Sequence, residues 1–225
     1  MKVIPILFLV LVLSSCNSLK GKDPEPPKFS VSLSSRQIPL GTAETQRARN
    51  FPLSGLLKVE INVIYFPDED ALCLVYRSDF YTYHQFWDES GRQLFLRTLY
   101  RYMEEYERRN LDSNSRTSRT RYGTTEGFLM WQEYSFTRRY SANMNMDFGY
   151  SFVDRSPYFT VTQRATTQYE ADGHTSNNSQ EIAMYFTRAQ AQELAEYFDE
   201  ELLREHALPS SERRIISPRV DVDVW

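Results

Sequence analysis

From Lys58 the chain alternates: Val59, Ile61, Val63 and Tyr65 are spaced by Lys58, Glu60 and Asn62. A period of two marks a strand with one dry face. Pro67-Asp68-Glu69-Asp70 breaks the run, and a second strand is expected from Ala71 to about Tyr83, so the pair reads as an antiparallel hairpin. After Trp87-Asp88-Glu89, Ser90 and Gln93 stand three apart as in a capping box, and apolar residues recur at 95, 96, 99, 102, 103 and 106. That spacing predicts a helix from about Gly91 to Asn110. Phe95, Leu99, Tyr102 and Tyr106 form its stripe, widened by Leu96, Tyr100 and Met103, which is a face broad enough to pack on a sheet.

Asp112 to Gly127 is almost devoid of apolar residues and reads as an exposed loop. Three strands are expected beyond it, at about Phe128–Tyr140, Asn143–Val153 and Tyr158–Tyr169. The middle one is the most regular: Met144, Met146, Phe148, Tyr150 and Phe152 face one way, and Asn143, Asn145, Asp147, Gly149 and Ser151 the other. A polar loop, 172–178, leads to a short strand at Glu181–Phe186. Thr187 and Gln190 then offer a capping box for a helix bearing Ala191, Leu194, Ala195, Phe198 and Leu202 on one face, to about His206. The order is ββα-ββββα. It predicts an α+β fold in two layers, an antiparallel sheet of about six strands with two helices on one face. Leu99–Glu105 and Leu194–Glu200 resemble each other faintly, as a divergent duplication or two amphipathic helices of similar composition would.

The flanks behave differently. Met1-Lys2, the apolar run Val3–Leu13 and the small residues Ser14-Ser15 have the layout of a secretory signal peptide, and the run is too short to span a bilayer as a helix. Leu13-Ser14-Ser15-Cys16 resembles the lipobox of bacterial lipoproteins: an aliphatic residue, two small ones, then cysteine. The resemblance implies that residues 1–15 are removed and that Cys16 carries acyl chains; two or three such chains hold a protein on a membrane, each buried CH₂ contributing about 0.8 kcal/mol. It further implies a cell-envelope location. Asn17, in place of the Asp that marks inner-membrane retention in enteric-type lipoproteins, favours the outer membrane. Residues 16–50 are rich in Ser, Pro, Lys and Thr and read as a tether, whose r.m.s. span at some 34 residues would be about 30 Å. The folded domain is expected over 51–208. Residues 209–225 form a tail whose Val-Asp alternation either adds an edge strand or stays loose.

Loss of residues 1–15 takes Lys2 with it and moves the formal net charge from −4 to −5. That balance argues against a nucleic-acid partner, which calls for a basic footprint. With Cys16 acylated, Cys73 is the remaining thiol, so no intramolecular disulfide forms. Its place in Ala71-Leu72-Cys73-Leu74-Val75-Tyr76 predicts a buried, inert side chain. Stability must come from the core, for which 14 Phe, 15 Tyr and 3 Trp provide material.

Candidate chemistry is sparse. His84, His174 and His206 have no second ligand at i+2 or i+4, so no metal is expected, and Asp68-Glu69-Asp70 lacks the Gly and distal Glu of a calcium loop. Asp147-Phe148-Gly149 spells a kinase triplet inside an alternating strand, without the loops that would give it meaning. Glu104-Glu105 and Glu200-Glu201 read as solvated helix exteriors. No nucleotide loop, nucleophile elbow or metalloprotease motif is present, and no cofactor is expected. An outer-membrane barrel would place apolar residues in phase with a terminal aromatic, but Asp221 and Asp223 share the phase of Trp225. Arg116, Arg119, Arg121 and Tyr122, with Arg138, Arg139 and Tyr140, combine the residue types that dominate interfaces, although ordinary cation–π packing and a soluble loop are the preferred reading. The expected function is that of a non-enzymatic envelope lipoprotein with a protein partner or a structural role. A ligand-binding module with an apolar or aromatic pocket is the alternative, and an unrecognised hydrolase comes third.

Overall fold

Period-two alternation organises the protein over more strands than the sequence suggested. The computed structural model describes residues 31–48, 55–112, 120–134, 138–169 and 176–208. Its elements are β1 (Ile38–Ala48), β2 (Leu56–Phe66), β3 (Ala71–Ser78), β4 (Tyr81–Trp87), α1 (Glu89–Glu107), β5 (Thr120–Glu133), β6 (Arg139–Val153), β7 (Ser156–Gln163), β8 (Thr166–Tyr169), β9 (Ser176–Ser179), β10 (Ile182–Phe186), α2 (Arg188–Glu196) and α3 (Glu200–Ala207). Eight strands close in the order β1-β10-β7-β6-β5-β4-β3-β2, every pairing antiparallel, while β8 and β9 form a separate hairpin.

This closed barrel overturns the expected two-layer α+β sheet of about six strands. Alternation reports that a strand has one dry face; it carries no information on whether the sheet curls until its ends meet. Closure also needs β1, which the sequence hides because small residues mark its inner face: Ala43 and Thr45 are at most 1% exposed. β1 lies within the stretch 16–50 that composition assigned to a tether. The expected strand Ala71–Tyr83 is two strands, folded at Asp79-Phe80 without Gly or Pro; Asp79 supplies the left-handed residue with φ 53°.

Inward positions are large and apolar. Val63, Leu74, Trp87, Trp131, Phe148, Phe159 and Met184 belong to one buried cluster, whereas the outward partners on β1, β2 and β6 include Glu44, Lys58, Glu60, Asn62 and Asn145. That polar sector of the wall differs from the apolar band that a membrane-spanning barrel presents to lipid. At one end, α1 docks against β5 and β6. There Phe95 meets Trp87, Phe148, Phe159 and Phe198 at ring-centroid distances of 5.6, 6.0, 5.6 and 4.6 Å. Gly123 leaves room for this helix, since a Cβ there would stand 3.1 Å from Leu94. At the other end β8 and β9 fold against the mouth: Trp131 Nε1 donates to Asn177 Oδ1 at 2.7 Å, and Gln163 Nε2 to Ser179 Oγ at 2.9 Å.

The helix boundaries move as well. Asp88, not Ser90, caps α1, accepting from the Gly91 N–H at 2.8 Å, and Tyr100, expected to widen the buried stripe, is 70% exposed. The Thr187–Gln190 capping box stands as read, but the helix stops at Tyr197 so that Phe198 can turn into the core, and Asp199 caps a separate α3. Arg92 ties these pieces together from a wholly buried position. Its Nε donates to Glu200 Oε1 at 2.8 Å, Nη1 to the Asp70 carbonyl at 2.8 Å and Nη2 to Asp70 Oδ1 at 3.1 Å. Residues 1–30, including Cys16, and the tail 209–225 lie outside the described residues.

Candidate interaction surface

The arginine and tyrosine residues singled out in the sequence do not converge. Arg121 stands 3.8 Å from Asp147 on the outer wall. Tyr122 belongs to the helix end, where its hydroxyl donates to Glu105 Oε2 at 2.5 Å and the Arg101 guanidinium lies 4.4 Å from its ring. Arg138, Arg139 and Tyr140 are at the opposite end: Arg138 packs 5.6 Å from the Tyr140 ring, which stacks on Trp131 at 5.7 Å, and Arg139 donates to Gln132 at 3.1 Å. Arg116, Arg119 and His174 lie outside the described residues.

What the structure does gather at this far end is a patch the sequence did not single out. The β3–β4 turn presents Phe80, 73% exposed, and β5 runs out beside it, Tyr134 N–H donating to the Phe80 carbonyl at 3.0 Å. Tyr134 is 50% exposed, with Arg77 stacked 5.3 Å from its ring. The turn is held by Arg47, whose Nη2 meets Asp79 Oδ1 at 2.8 Å. Two large aromatics and a guanidinium on a braced turn form a surface of the composition found at the centres of protein interfaces. The legible signal was Asp79-Phe80 itself, an aromatic at a turn, but the unbroken apolar run concealed the turn.

Three further grooves bear on chemistry. On the outer wall, about 270 Å³ is bounded by Thr120, Arg121, Asp147, Thr160, Thr162 and Arg164. Asp147, expected to face solvent, is 7% exposed there, because Thr124 donates to it at 2.6 Å and Arg164 Nε at 2.6 Å. A groove of about 760 Å³ between the helices is floored by Leu96, Leu99, Met103 and Phe198 and rimmed by Glu196, Asp199, Glu200 and Glu201. A third lies near Tyr106, Leu111, Phe152 and Arg188. Of the Met144–Phe152 face, Phe152 lines the third groove and Phe148 borders the first, while Met144, Met146, Phe148 and Tyr150 are at most 3% exposed within the packed barrel interior.

Proton affinities are pushed away from neutrality. Burial raises the Cys73 thiol and the Tyr76, Tyr83, Tyr102 and Tyr122 phenols, and burial with the hydrogen bond to Asp70 raises Tyr65 to about 12. Although burial works against it, Glu105 is lowered by Tyr122 and Arg101. His84, on the outer wall of β4, is lowered by burial and by the Arg139 charge. Among the described residues no three His, Cys, Asp or Glu side chains converge as metal ligands.

No curated protein and no solved structure matches the chain. One family model does, over residues 37–205, from just ahead of β1 into α3, so that the whole barrel and its helical end are covered. The chain belongs to the family described as Uncharacterised Treponema protein.

Proposed function

We propose that this protein is a lipid-anchored, non-enzymatic component of the cell envelope, held on the outer membrane by acyl chains on Cys16, and that it binds a protein partner through the barrel end bearing Phe80 and Tyr134. The observation that carries the partner reading is the exposed Phe80–Tyr134–Arg77 patch on a braced turn. Its position supports the reading too. The chain arriving from Cys16 reaches the barrel at the other end, where Ser35 and Arg36 contact Glu69 and Asp68 of the β2–β3 turn. An eleven-residue strand at about 3.3 Å per residue, tilted as barrel strands are, separates the two ends by roughly 25 to 30 Å. The patch then lies at the barrel end remote from where the chain leads toward Cys16. Support for a non-enzymatic role comes from the buried phenols and the Cys73 thiol, which burial raises away from neutrality, and from His84, which faces a cation rather than a carboxylate.

Crosslinking in intact cells followed by capture of the full-length protein tests the partner. The expected result is one recurrent protein with wild type, lost with Phe80→Ser/Tyr134→Ser; repeated recovery of the protein alone would overturn the reading. The anchor is tested by metabolic labelling with a palmitate analogue, which should mark wild type and not Cys16→Ala.

One observation favours a ligand-binding reading instead. Gln85 Oε1 and Trp87 Nε1 are buried, face the barrel interior and have no hydrogen-bond partner among the described residues. Native mass spectrometry of protein taken from its own envelope would reveal a retained small molecule if that reading held.

A further inference from the structure

Residues 31–37 lie outside the hydrogen-bonded sheet and cross the outer wall of β2–β5. Where β1, β6 and the first half of β2 turn polar side chains outward, this wall is apolar, built from Ile64 and Phe66 at the end of β2 with Cys73, Val75, Phe86 and Phe128. Two side chains cover it: Val31, 4% exposed, and Leu33, half-buried, with Ser32 and Ser34 turned to solvent. The polar ties are few. Ser35 Oγ donates to Glu69, the Arg36 N–H to Asp68 at 3.4 Å and Arg36 Nη2 to the Ala207 carbonyl at 2.7 Å. The fit is also incomplete. A groove of about 390 Å³ stays open beside Leu33, Ser34 and Gln37 and reaches Ile64, Phe66 and His84, and Glu69 Oε2 is buried without a partner among the described residues.

We propose that residues 31–37 are a detachable strap over a docking surface for an extended peptide with apolar residues at alternate positions, the strap being the chain's own stand-in for that peptide. Segments held by few apolar contacts open far more cheaply than the sheet that carries them. Opening hydrates the orphan Glu69 oxygen and bares a contiguous apolar wall, a surface that calls for a partner. The match is in the spacing, since side chains two apart on an extended segment point the same way and Val31 and Leu33 meet the wall in that register. The strap is also the covalent route from the barrel to residue 16, so whatever pulls on the amino terminus acts on it first. This adds a second, covered surface to the partner-binding reading and rests on that reading for its biological ligand.

Cys73 belongs to the wall cluster, is wholly buried and has a thiol held above its usual range, so its modification reports the strap. The experiment uses full-length protein with Cys16→Ser, in which Cys73 is the one thiol, with and without Val31→Asp/Leu33→Asp. A thiol reagent should modify the strap variant at least roughly tenfold faster while cooperative melting persists, as local opening demands. A synthetic peptide of residues 29–37 should slow it again. Unchanged labelling would show that the strap does not guard the wall, and loss of cooperative melting would show that it is part of the core. Fast labelling with no protection by the peptide would show that the wall is not a docking surface. Each of these outcomes overturns the proposal and leaves the Phe80/Tyr134 capture result untouched, so the two readings fail separately.

Discussion

A Cβ on Gly149 would stand 1.8 Å from the Thr120 carbonyl oxygen and 3.0 Å from the Arg121 Cα, where β5 presses against β6 at the register shift between Arg121 and Gly123. Backbone cannot yield as a flexible side chain can, so Gly149→Ala is expected to destabilise by about 3 kcal/mol or more, read from denaturant unfolding. Arg92 presents the opposite case, a buried charge with every neighbour arranged for it. Arg92→Ala removes a wholly buried side chain and its ties to the partly exposed Asp70 and Glu200 and should cost about 2 to 3 kcal/mol, while Arg92→Met, which keeps the bulk, should cost less. His84 sets a pH dependence. Burial and Arg139 hold its folded pKa below the ordinary 6.5, so the unfolded chain takes up the proton first as pH falls. Stability is full above about pH 6.5 and drains as pH drops toward the folded value. Melting at pH 7.5 and 5.5 should differ less in His84→Gln than in wild type.

At the scale of elements, the cap of α2 was legible while that of α1 was read two residues late and that of α3 was not foreseen. Thr187 and Gln190 are spaced for a capping box and form one, because both partners lie within a single turn and need nothing from the rest of the protein. The break after Tyr197 was not legible. Phe198 continues the apolar stripe in sequence, and the reason the helix stops is that this ring must reach Trp87 and Phe95, which are remote along the chain. Asp199 then caps α3 by accepting from the N–H groups of Glu201 and Leu202 at 2.8 and 3.1 Å. Asp199→Ala should therefore cost about 1 kcal/mol, a drop in melting temperature of about 2 to 4 °C. In contrast, Phe80→Ser and Tyr134→Ser remove exposed rings and should leave stability within about 0.5 kcal/mol while abolishing partner capture.

For the whole molecule, the barrel interior is a store of phenols kept neutral. Tyr65 is raised to about 12 by burial and its bond to Asp70, and Tyr76 and Tyr83 are raised further by burial. A folded pKa above the unfolded value near 10 means stability is complete below about pH 10 and is lost as pH rises through the folded values. Denaturant unfolding between pH 9 and 12 should show that loss. Taken by itself, the sequence determined the alternation of β2 and the inward row of β6, and the capping box that opens α2, since each follows from contacts within a few residues. Only the tertiary structure decided that the sheet closes, that small inward residues make β1 its sealing strand, and that Phe80 stands exposed while Asp147 is covered. Those outcomes depend on pairings such as β1 with β10, between residues about 140 apart, and local alternation is the same whether or not such a pairing forms.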